Sequence, residues 1–455
     1  MPRLFLISAL CLILLSVLAH GSRGRPASLD IAAGAAAPDE VLVRLRPAAM
    51  SLSDAVLSER LGAGVSARLP ALATLRLRLP PDEAVAAAVA RIGRLPLVER
   101  AEPNYRLHGA AIPNDPVFSA QSAYLGLIEA PAAWDIEVGD AAVLVAVLDS
   151  GIDLAHPDLE GKVWTNALET DNGRDDDRNG CIDDRHGCSF LTSGPENQAC
   201  GERPAAVVDD DNGHGTFTAG IIAASANNAT GMTGAAPGVT IVPVKILDCL
   251  GAGTAGDAAE GLLYAARVGA RVANISFSAD GDSFTLANAI RAAYERNSMV
   301  IVAATGNEGA GRVNFPARLA ETIAVASSGM TADAEGRSAF SNWGPEVTVA
   351  APGLNIIGPV PAAFCGQGWL CLPDQPYAVA SGTSFAAPLV SSLAALLVSH
   401  NANLSPESVR RLIVDTAAPL PDRDTPGWAG AGRIRMRVAL AQPRFFLGVA
   451  GVARD

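Results

Sequence analysis

Five short runs between residues 143 and 327 are almost wholly apolar: VLVAVLD (143–149), VTIVPVKIL (239–247), RVANIS (271–276), MVIVAAT (299–305) and TIAVAS (322–327). None alternates apolar with polar positions, so each predicts a strand covered on both faces. Helical stretches fall near 214–226, 257–268, 285–297, 384–399 and 406–416. Strands buried on both sides and separated by helices predict a parallel sheet between two helix layers, a three-layer α/β domain. In such a sheet ligands bind beyond the carboxyl ends of the strands. Chemistry is to be sought there.

The preceding residues, 39–107, have a different character. EVLVRLRP and LATLRLRLP alternate as half-buried strands, SLSDAVLSERLG and PDEAVAAAVARIGRL read as helices, and VERAEPNYRL closes as a strand. This is a small α+β unit of about seventy residues, a size at which a core is marginal. Charge divides the same way. Of the 34 basic and 47 acidic residues, 13 and 9 fall in residues 1–111, a balance of +4; the remaining 21 and 38 give −17. An acidic main domain argues against nucleic acid as a partner. Aromatics are only 5% of the chain, so its cores must be built from Ala, Val, Leu and Ile.

At the amino terminus Arg3 is followed by LFLISALCLILLSVLA, with small residues at Ala19 and Gly21. The run is short for a membrane span and fits a secretory signal peptide over residues 1–21. No later stretch approaches about 18 apolar residues free of charge and Pro, so a soluble mature protein, secreted or periplasmic, is expected. Cys11 would leave with the signal. Six cysteines remain, an even number in an exported chain, which predicts disulfides. Cys365 and Cys371 are spaced as a local staple; the other pairings stay open.

Three positions stand out. Asp149 ends the first apolar strand, where a carboxylate is held rigidly and half desolvated. His214 lies in NGHGTFTAG, framed by glycines that admit close neighbours, at the start of a helix. Ser384 lies in SGTSFAAP, at the mouth of an apolar helix and among small residues. Backbone N–H groups at a helix start are free and suit an oxyanion. Taken singly, a turn Asp, a structural His and an N-cap Ser are ordinary. Together, in the order Asp…His…Ser, they make a nucleophile, a base and a carboxylate that orients the base.

On these motifs the chain resembles the subtilisin-like (S8, subtilase) serine proteases, a family that itself exemplifies this triad order. VAVLDSGID, NGHGTFTAG and SGTSFAAP match the triad motifs, and ATGNEG (304–309) matches the oxyanion motif. The resemblance implies a serine endopeptidase with Ser384 as nucleophile, His214 as base, Asp149 as its partner and Asn307 as oxyanion donor. It implies substrate contacts at Ser276, Phe277 and Ser278, at Gly251 and Gly253 on an opposing edge strand, and at Asn314, with Glu308 at the pocket rim. Protein or peptide substrates follow, with no organic cofactor.

The loop DNGRDDDRNGCIDDRHGCSF carries Asp175, Asp177, Asn179, Asp183 and Asp184 with Gly180 at the turn, a calcium-type oxygen pattern where the family often binds Ca2+. Cys181 and Cys188 are placed to brace it. A second site resembling the family's tight calcium site would draw on Gln121, Asp158 and Asn227 or Asn228. The unit at 39–107 resembles a subtilase propeptide of ferredoxin-like fold, an intramolecular inhibitor removed by cleavage between about 107 and 114. The expected plan is thus signal 1–21, propeptide 22–112, peptidase 113–443 and a tail at 444–455, acting as a monomer with no membrane attachment after signal cleavage. The competing expectation is a calcium-stabilised pseudoprotease acting as a binding module. A non-proteolytic hydrolase would instead carry Gly-x-Ser-x-Gly and the order Ser…Asp…His, and neither is present.

Overall fold

The computed structural model describes residues 36–81, 83–105, 112–191, 200, 205–279, 281–330, 334–373, 375–421 and 425–442. The signal run, the tail and most of the expected cleavage stretch lie outside them. The described residues form two compact units, one within residues 1–108 and one within 109–455.

In the first unit β1 (Ala36–Leu45), α1 (Asp54–Leu61), β2 (Gly64–Leu69), β3 (Thr74–Arg78), α2 (Val85–Ile92) and β4 (Val98–Tyr105) form an antiparallel sheet of order β2-β3-β1-β4. That is the ferredoxin-like order expected of two interleaved βαβ halves. Ser53 caps α1 by accepting from the Val56 N–H, and Gly62 ends it with φ 62°. Val41, Val43, Leu75 and Leu77 on the strands face Leu57, Leu61 and Ile92 on the helices. Strand β2 was not foreseen. It is an edge strand, bulged between Val65 and Ala67, and none of its side chains is fully buried, so GVSARL lacks an apolar rhythm.

The second unit opens with α3 (Phe118–Leu127), α4 (Ala130–Trp134), β5 (Leu144–Asp149), β6 (Cys188–Ser189), α5 (His214–Ala223), β7 (Thr240–Lys245) and α6 (Ala255–Arg267). It continues with β8 (Val272–Ile275), α7 (Phe284–Asn297), β9 (Val300–Ala304), β10 (Thr322–Met330), β11 (Glu335–Arg337), β12 (Val349–Pro352), β13 (Ile356–Pro359), β14 (Tyr377–Ala380), α8 (Thr383–His400), α9 (Pro406–Thr416) and α10 (Met436–Leu440). The main sheet runs β11-β10-β9-β8-β5-β7-β6, with β12 also beside β10. All pairs are parallel except β10 with β11. The three-layer expectation is met: Val145 and Val147 face a core shared with α5 and α8, while Ala146 and Leu148 face α6 and α7. Helix α8 is apolar nearly all round because it runs through the interior, with Phe385 to Val398 buried. The hairpin β13–β14 and the short helices α3 and α4 were not foreseen; four-residue strands leave little periodicity to detect, and α3 buries the polar Gln121 while exposing Ala120 and Ala123.

The chain turns back at β7, and β8 crosses to the far side of β5. The carboxyl end of β5 therefore lies where the winding reverses, the usual place for a site. Asp149 is the last residue of that strand, and its carbonyl accepts from the Ile246 and Leu247 N–H groups at 2.8 and 3.1 Å.

Just beyond β5, buried His156 accepts the Asp158 N–H on Nδ1 at 3.2 Å, which leaves Nε2 to donate to the Pro376 carbonyl at 3.3 Å. Its ring stands edge-on to Tyr377 at 5.3 Å. Burial pulls its pKa below the ordinary value, against the Pro376 bond and the charges of Asp158 and Asp153. A depressed folded pKa gives stability that is complete above the unfolded value of about 6.5 and is lost as pH falls below it. The protein's unfolding midpoint is therefore expected to drop between pH 7 and 5, and His156→Asn should flatten that slope. A slope unchanged by the substitution would assign the acid sensitivity elsewhere.

Candidate active site

His214 opens α5, and its Nδ1 lies 2.8 and 3.0 Å from the two carboxylate oxygens of fully buried Asp149. The Ser150 N–H adds a 2.8 Å bond to Asp149 Oδ1. With Nδ1 donating to Asp149, Nε2 is the nitrogen left to accept a proton. Burial lowers the His214 pKa, but the charge and hydrogen bond of Asp149, with the charge of Asp210, overcome it and hold the pKa above the usual histidine range.

The segment before His214 is organised by Asp210. One oxygen accepts from Ser150 Oγ and from the Asn212 and Gly213 N–H groups, at 2.8, 3.0 and 2.8 Å. The other accepts from the Thr216 N–H and hydroxyl at 2.8 and 2.6 Å. These are the free donors of a helix start, and an anion suits them. Gly215 follows His214 because nothing larger fits: a Cβ there would stand 2.0 Å from the Gly151 carbonyl.

Ser384 lies in the first turn of α8. Its hydroxyl donates to the Ser276 carbonyl at 3.0 Å, and in return the Ser276 hydroxyl donates to the Ser384 carbonyl at 2.8 Å. The second bond accounts for Pro388. Proline has no N–H for the carbonyl four residues back, and Ser276 supplies the missing donor. Ser276 is itself held by Asn274, whose amide donates to its Oγ at 2.8 Å while accepting from Ser391 Oγ at 2.8 Å. Among the described residues no hydrogen bond joins Ser384 to His214. Catalytic bonds are often open in the free state.

Asn307 lies two residues beyond the Thr305 that follows β9. Its Oδ1 accepts from the Thr383 N–H and hydroxyl at 2.8 and 3.0 Å. That fixes the amide with Nδ2 as the free end, and a Cβ on Gly382 would lie 3.6 Å from it. The structure thus gathers Asn307 and the first turn of α8 at one place, with the Ser384 N–H among the unpaired donors of that turn.

The expected substrate positions are less regular. Residues 276–278 follow β8 and form no ladder, with Ser276 buried and bonded inward, Phe277 half-buried and Ser278 exposed. Gly251 and Gly253 lie in an exposed loop before the Thr254 cap of α6, not in the expected strand. Asn314 donates to Glu308 Oε2 at 3.0 Å, and Asn342 donates to the same oxygen. Although burial raises it, these amide bonds bring the Glu308 pKa below the usual carboxylate value.

In the acidic loop, oxygens of Glu169, Asp177 and Asp184 lie within 4.8 Å of one another. Two of the expected ligands are used otherwise: Asp175 accepts from the Asn179 and Gly180 N–H groups, and Asp183 from Asn172 and Gly173. Asn179 donates its amide to Asp177 and Asp184 at 3.0 and 2.8 Å. Burial raises the Asp184 pKa, against bonds from Tyr264, Asn179 and Asn166. Glu169 Oε2 is buried with no hydrogen-bond partner. A lone buried carboxylate oxygen beside two further carboxylates suits a hard divalent cation.

At the second expected cation site Asn228 meets Asp158, and the groups are engaged in hydrogen bonds. Gln121 spends its amide on both backbone groups of Thr233 and on Tyr124, while Asp158 accepts from Asn228, Met232 N–H and Tyr377. Asn227 and Asn228 N–H groups bind Asp115, which sequence reasoning passed over. Glu169 and Asp210 were passed over too. Glu169 lies outside the alternating pattern, and Asp210 is one of three adjacent aspartates, of which only the helix start selects one.

The model described as Subtilase family (peptidase S8) matches residues 140–432, and that of the fervidolysin N-terminal prodomain matches residues 27–104. A thermophilic serine proteinase of Bacillus sp. (strain AK1) is 36% identical over 338 residues, covering 73% of this chain and 71% of that protein. Thermitase of Thermoactinomyces vulgaris is 37% identical over 322 residues, 71% of this chain and 96% of thermitase. The solved structure of fervidolysin from Fervidobacterium pennivorans, a keratinolytic enzyme related to subtilisin, is similar in fold, with a TM-score of 0.59 at 24% identity over 91% of this chain; the chain spans 62% of fervidolysin.

If Asp210 helps hold the His214 pKa up, Asp210→Asn should move it down. The measurement is the pH titration of the His214 ring resonance by NMR; an unmoved midpoint would remove Asp210 from the electrostatics of the site.

Proposed function

The chain belongs to the subtilase family of serine proteases and carries an N-terminal prodomain of the fervidolysin kind, and from that premise we propose a secreted or periplasmic endopeptidase made as a self-processing zymogen. The observation that carries this reading is the 2.8 Å bond from His214 to the buried Asp149 at the end of β5. It leaves His214 Nε2 as a base of raised affinity for a proton, near the first turn of α8.

In this reading Ser384 Oγ gives its proton to His214 Nε2 and attacks the carbonyl carbon of a peptide bond. The oxyanion that forms is met by Asn307 Nδ2 and the Ser384 N–H. His214 then passes the proton to the leaving amine nitrogen, and an acyl-enzyme remains. Water, deprotonated by His214 Nε2, attacks the acyl carbon, and as the bond to Ser384 Oγ breaks the proton passes back from His214 to that oxygen and the acid leaves. Asp149 fixes the tautomer and stabilises the imidazolium. The bond from the Ser276 hydroxyl to the Ser384 carbonyl supports the mechanism, since it holds the nucleophile's main chain while the Ser384 hydroxyl turns from the Ser276 carbonyl to His214.

Residues 276–278 and the loop of Gly251 and Gly253 would take an extended peptide between them, as unpaired backbone does in β-augmentation. An ionised Glu308 beside Asn314 disfavours an acidic side chain at that end. The propeptide is taken as residues 22–112, an intramolecular inhibitor, and the peptidase as residues 113–443, a monomer. At the acidic loop Glu169, Asp177 and Asp184 would hold Ca2+, which would neutralise the cluster and brace the loop without entering the reaction.

Ser384→Ala is expected to accumulate as the uncleaved precursor and to show no peptidase activity on casein or chromogenic peptides. Normal maturation and turnover in that variant would sink the mechanism. For the metal, Ca2+ at about a hundred times its Kd should stabilise by roughly 2.7 kcal/mol, read as a raised Tm reversed by chelation. Glu169→Gln should abolish the response; a Tm indifferent to Ca2+ in the unsubstituted enzyme would exclude the site.

A further inference from the structure

The sequence has an insertion-like loop, PAAFCGQGWLCLP (361–373), whose tip is closed by a disulfide between Cys365 and Cys371. The triad chemistry does not call on it. Its Trp369 is half-buried, yet every neighbouring loop residue from Gly366 to Leu370 is exposed. Trp369 points inward onto the segment that precedes His214. Its indole N–H donates to the Asn212 carbonyl at 2.9 Å. The ring stacks on Phe217 at 5.2 Å and 23° between planes. Phe217 packs on Phe385 at 4.4 Å, and Phe385 on the His214 ring at 5.4 Å.

The contact falls beside the base. Gly213 has φ 99°, a conformation that only glycine adopts freely, and it joins Asn212 to His214. A Cβ on Gly213 would stand 2.6 Å from Trp369 Nε1, so the indole lies directly against this residue. Asn212 is gripped from a second side as well, its amide donating at 3.1 Å to the carbonyl of Cys249, which is bonded to Cys200. Two disulfide-anchored segments thus hold the peptide two residues ahead of the base. Asp210 holds the N–H side of this segment; Trp369 holds the carbonyl side.

We propose that Trp369 is a positioning residue for His214, and that the Cys365–Cys371 disulfide sets its hold. The inference rests on the reading of His214 as the general base. Among the described residues no hydrogen bond or ring contact joins Trp369 to Asp149, His214, Ser384 or Asn307. It acts by confining the Asn212–Gly213 peptide and the aromatic layer under the imidazole, so that His214 keeps its short bond to Asp149. The charged groups that raise the His214 pKa are Asp149 and Asp210, and loosening the ring away from Asp149 weakens the larger of the two influences.

The test is the pH profile of kcat and KM for a chromogenic peptide, measured on the mature enzyme, with labelling of Ser384 by a fluorophosphonate as a separate readout. Trp369→Ala should lower kcat about tenfold with KM within twofold and shift the acid limb to lower pH. Trp369→Phe keeps the stack but not the N–H donor and should lose about threefold. The pair Cys365→Ser and Cys371→Ser should shift the acid limb in the same direction. Variants with kcat and acid limb like the unsubstituted enzyme, or with the loss carried in KM alone, would overturn the role. If Trp369→Ala does not fold, Trp369→Phe and the serine pair decide by the same criteria. Failure of the unsubstituted enzyme to label with the fluorophosphonate would remove the base reading itself; normal labelling with unmoved variants removes only Trp369.

Discussion

Bury a carboxylate without partners and it costs several kcal/mol; give it five donors and it becomes an anchor. Asp210 is placed in this second way. It binds Ser150, Asn212, Gly213 and Thr216, tying the loop after β5 to the start of α5. Asp149 can meet His214 only because that start is fixed. The strand delivers one carboxylate to the imidazole, and the loop delivers the imidazole to the carboxylate. Bulk is excluded at the same point, since a Cβ on Gly215 would stand 2.0 Å from the Gly151 carbonyl and one on Gly151 2.4 Å from the Val208 carbonyl.

A second polar chain performs the matching task for the nucleophile. It runs from Ser391 through Asn274 and Ser276 to the Ser384 carbonyl, inside an otherwise apolar interior. Buried polar groups are tolerated when each has its partner, and here each of the four does. The chain explains why a sheet-facing helix rich in Ala, Leu and Val carries the first of its two buried serines, Ser391 and Ser392. The second of them bonds back to the Pro388 carbonyl at 2.7 Å, within its own helix.

The main sheet was legible because strands covered on both faces have no choice but to be apolar throughout, and VLVAVLD or MVIVAAT admits one reading. So were α8 and α9, where Gly382 and Ser405 mark the starts. The edge strand β2 and the hairpin β13–β14 were not, because an edge or a four-residue pair is held by backbone bonds that any side chain permits. Within the site, motif residues could be picked out one by one, since glycines and hydroxyls in such spacing have few other uses. Their supports could not. Glu169 meets Asp177 and Asp184 only through the fold of the loop, and Trp369 meets Asn212 across 157 positions of sequence. Spacing carries information about neighbours along the chain; it carries little about neighbours across it.

Pro388 lies inside helix α8, where a proline removes a helix hydrogen bond. With its N–H missing, the Ser384 carbonyl is fastened sideways to Ser276, just past the end of β8, rather than downward to its own helix. The origin from which the nucleophile is measured is therefore the sheet. Small slides or bends of α8 along its eighteen residues need not be transmitted to the attacking oxygen, in the way that a gauge bolted to the bench ignores the play of the lever beside it. A helix that kept its first-turn bond would have carried the serine along with every such movement.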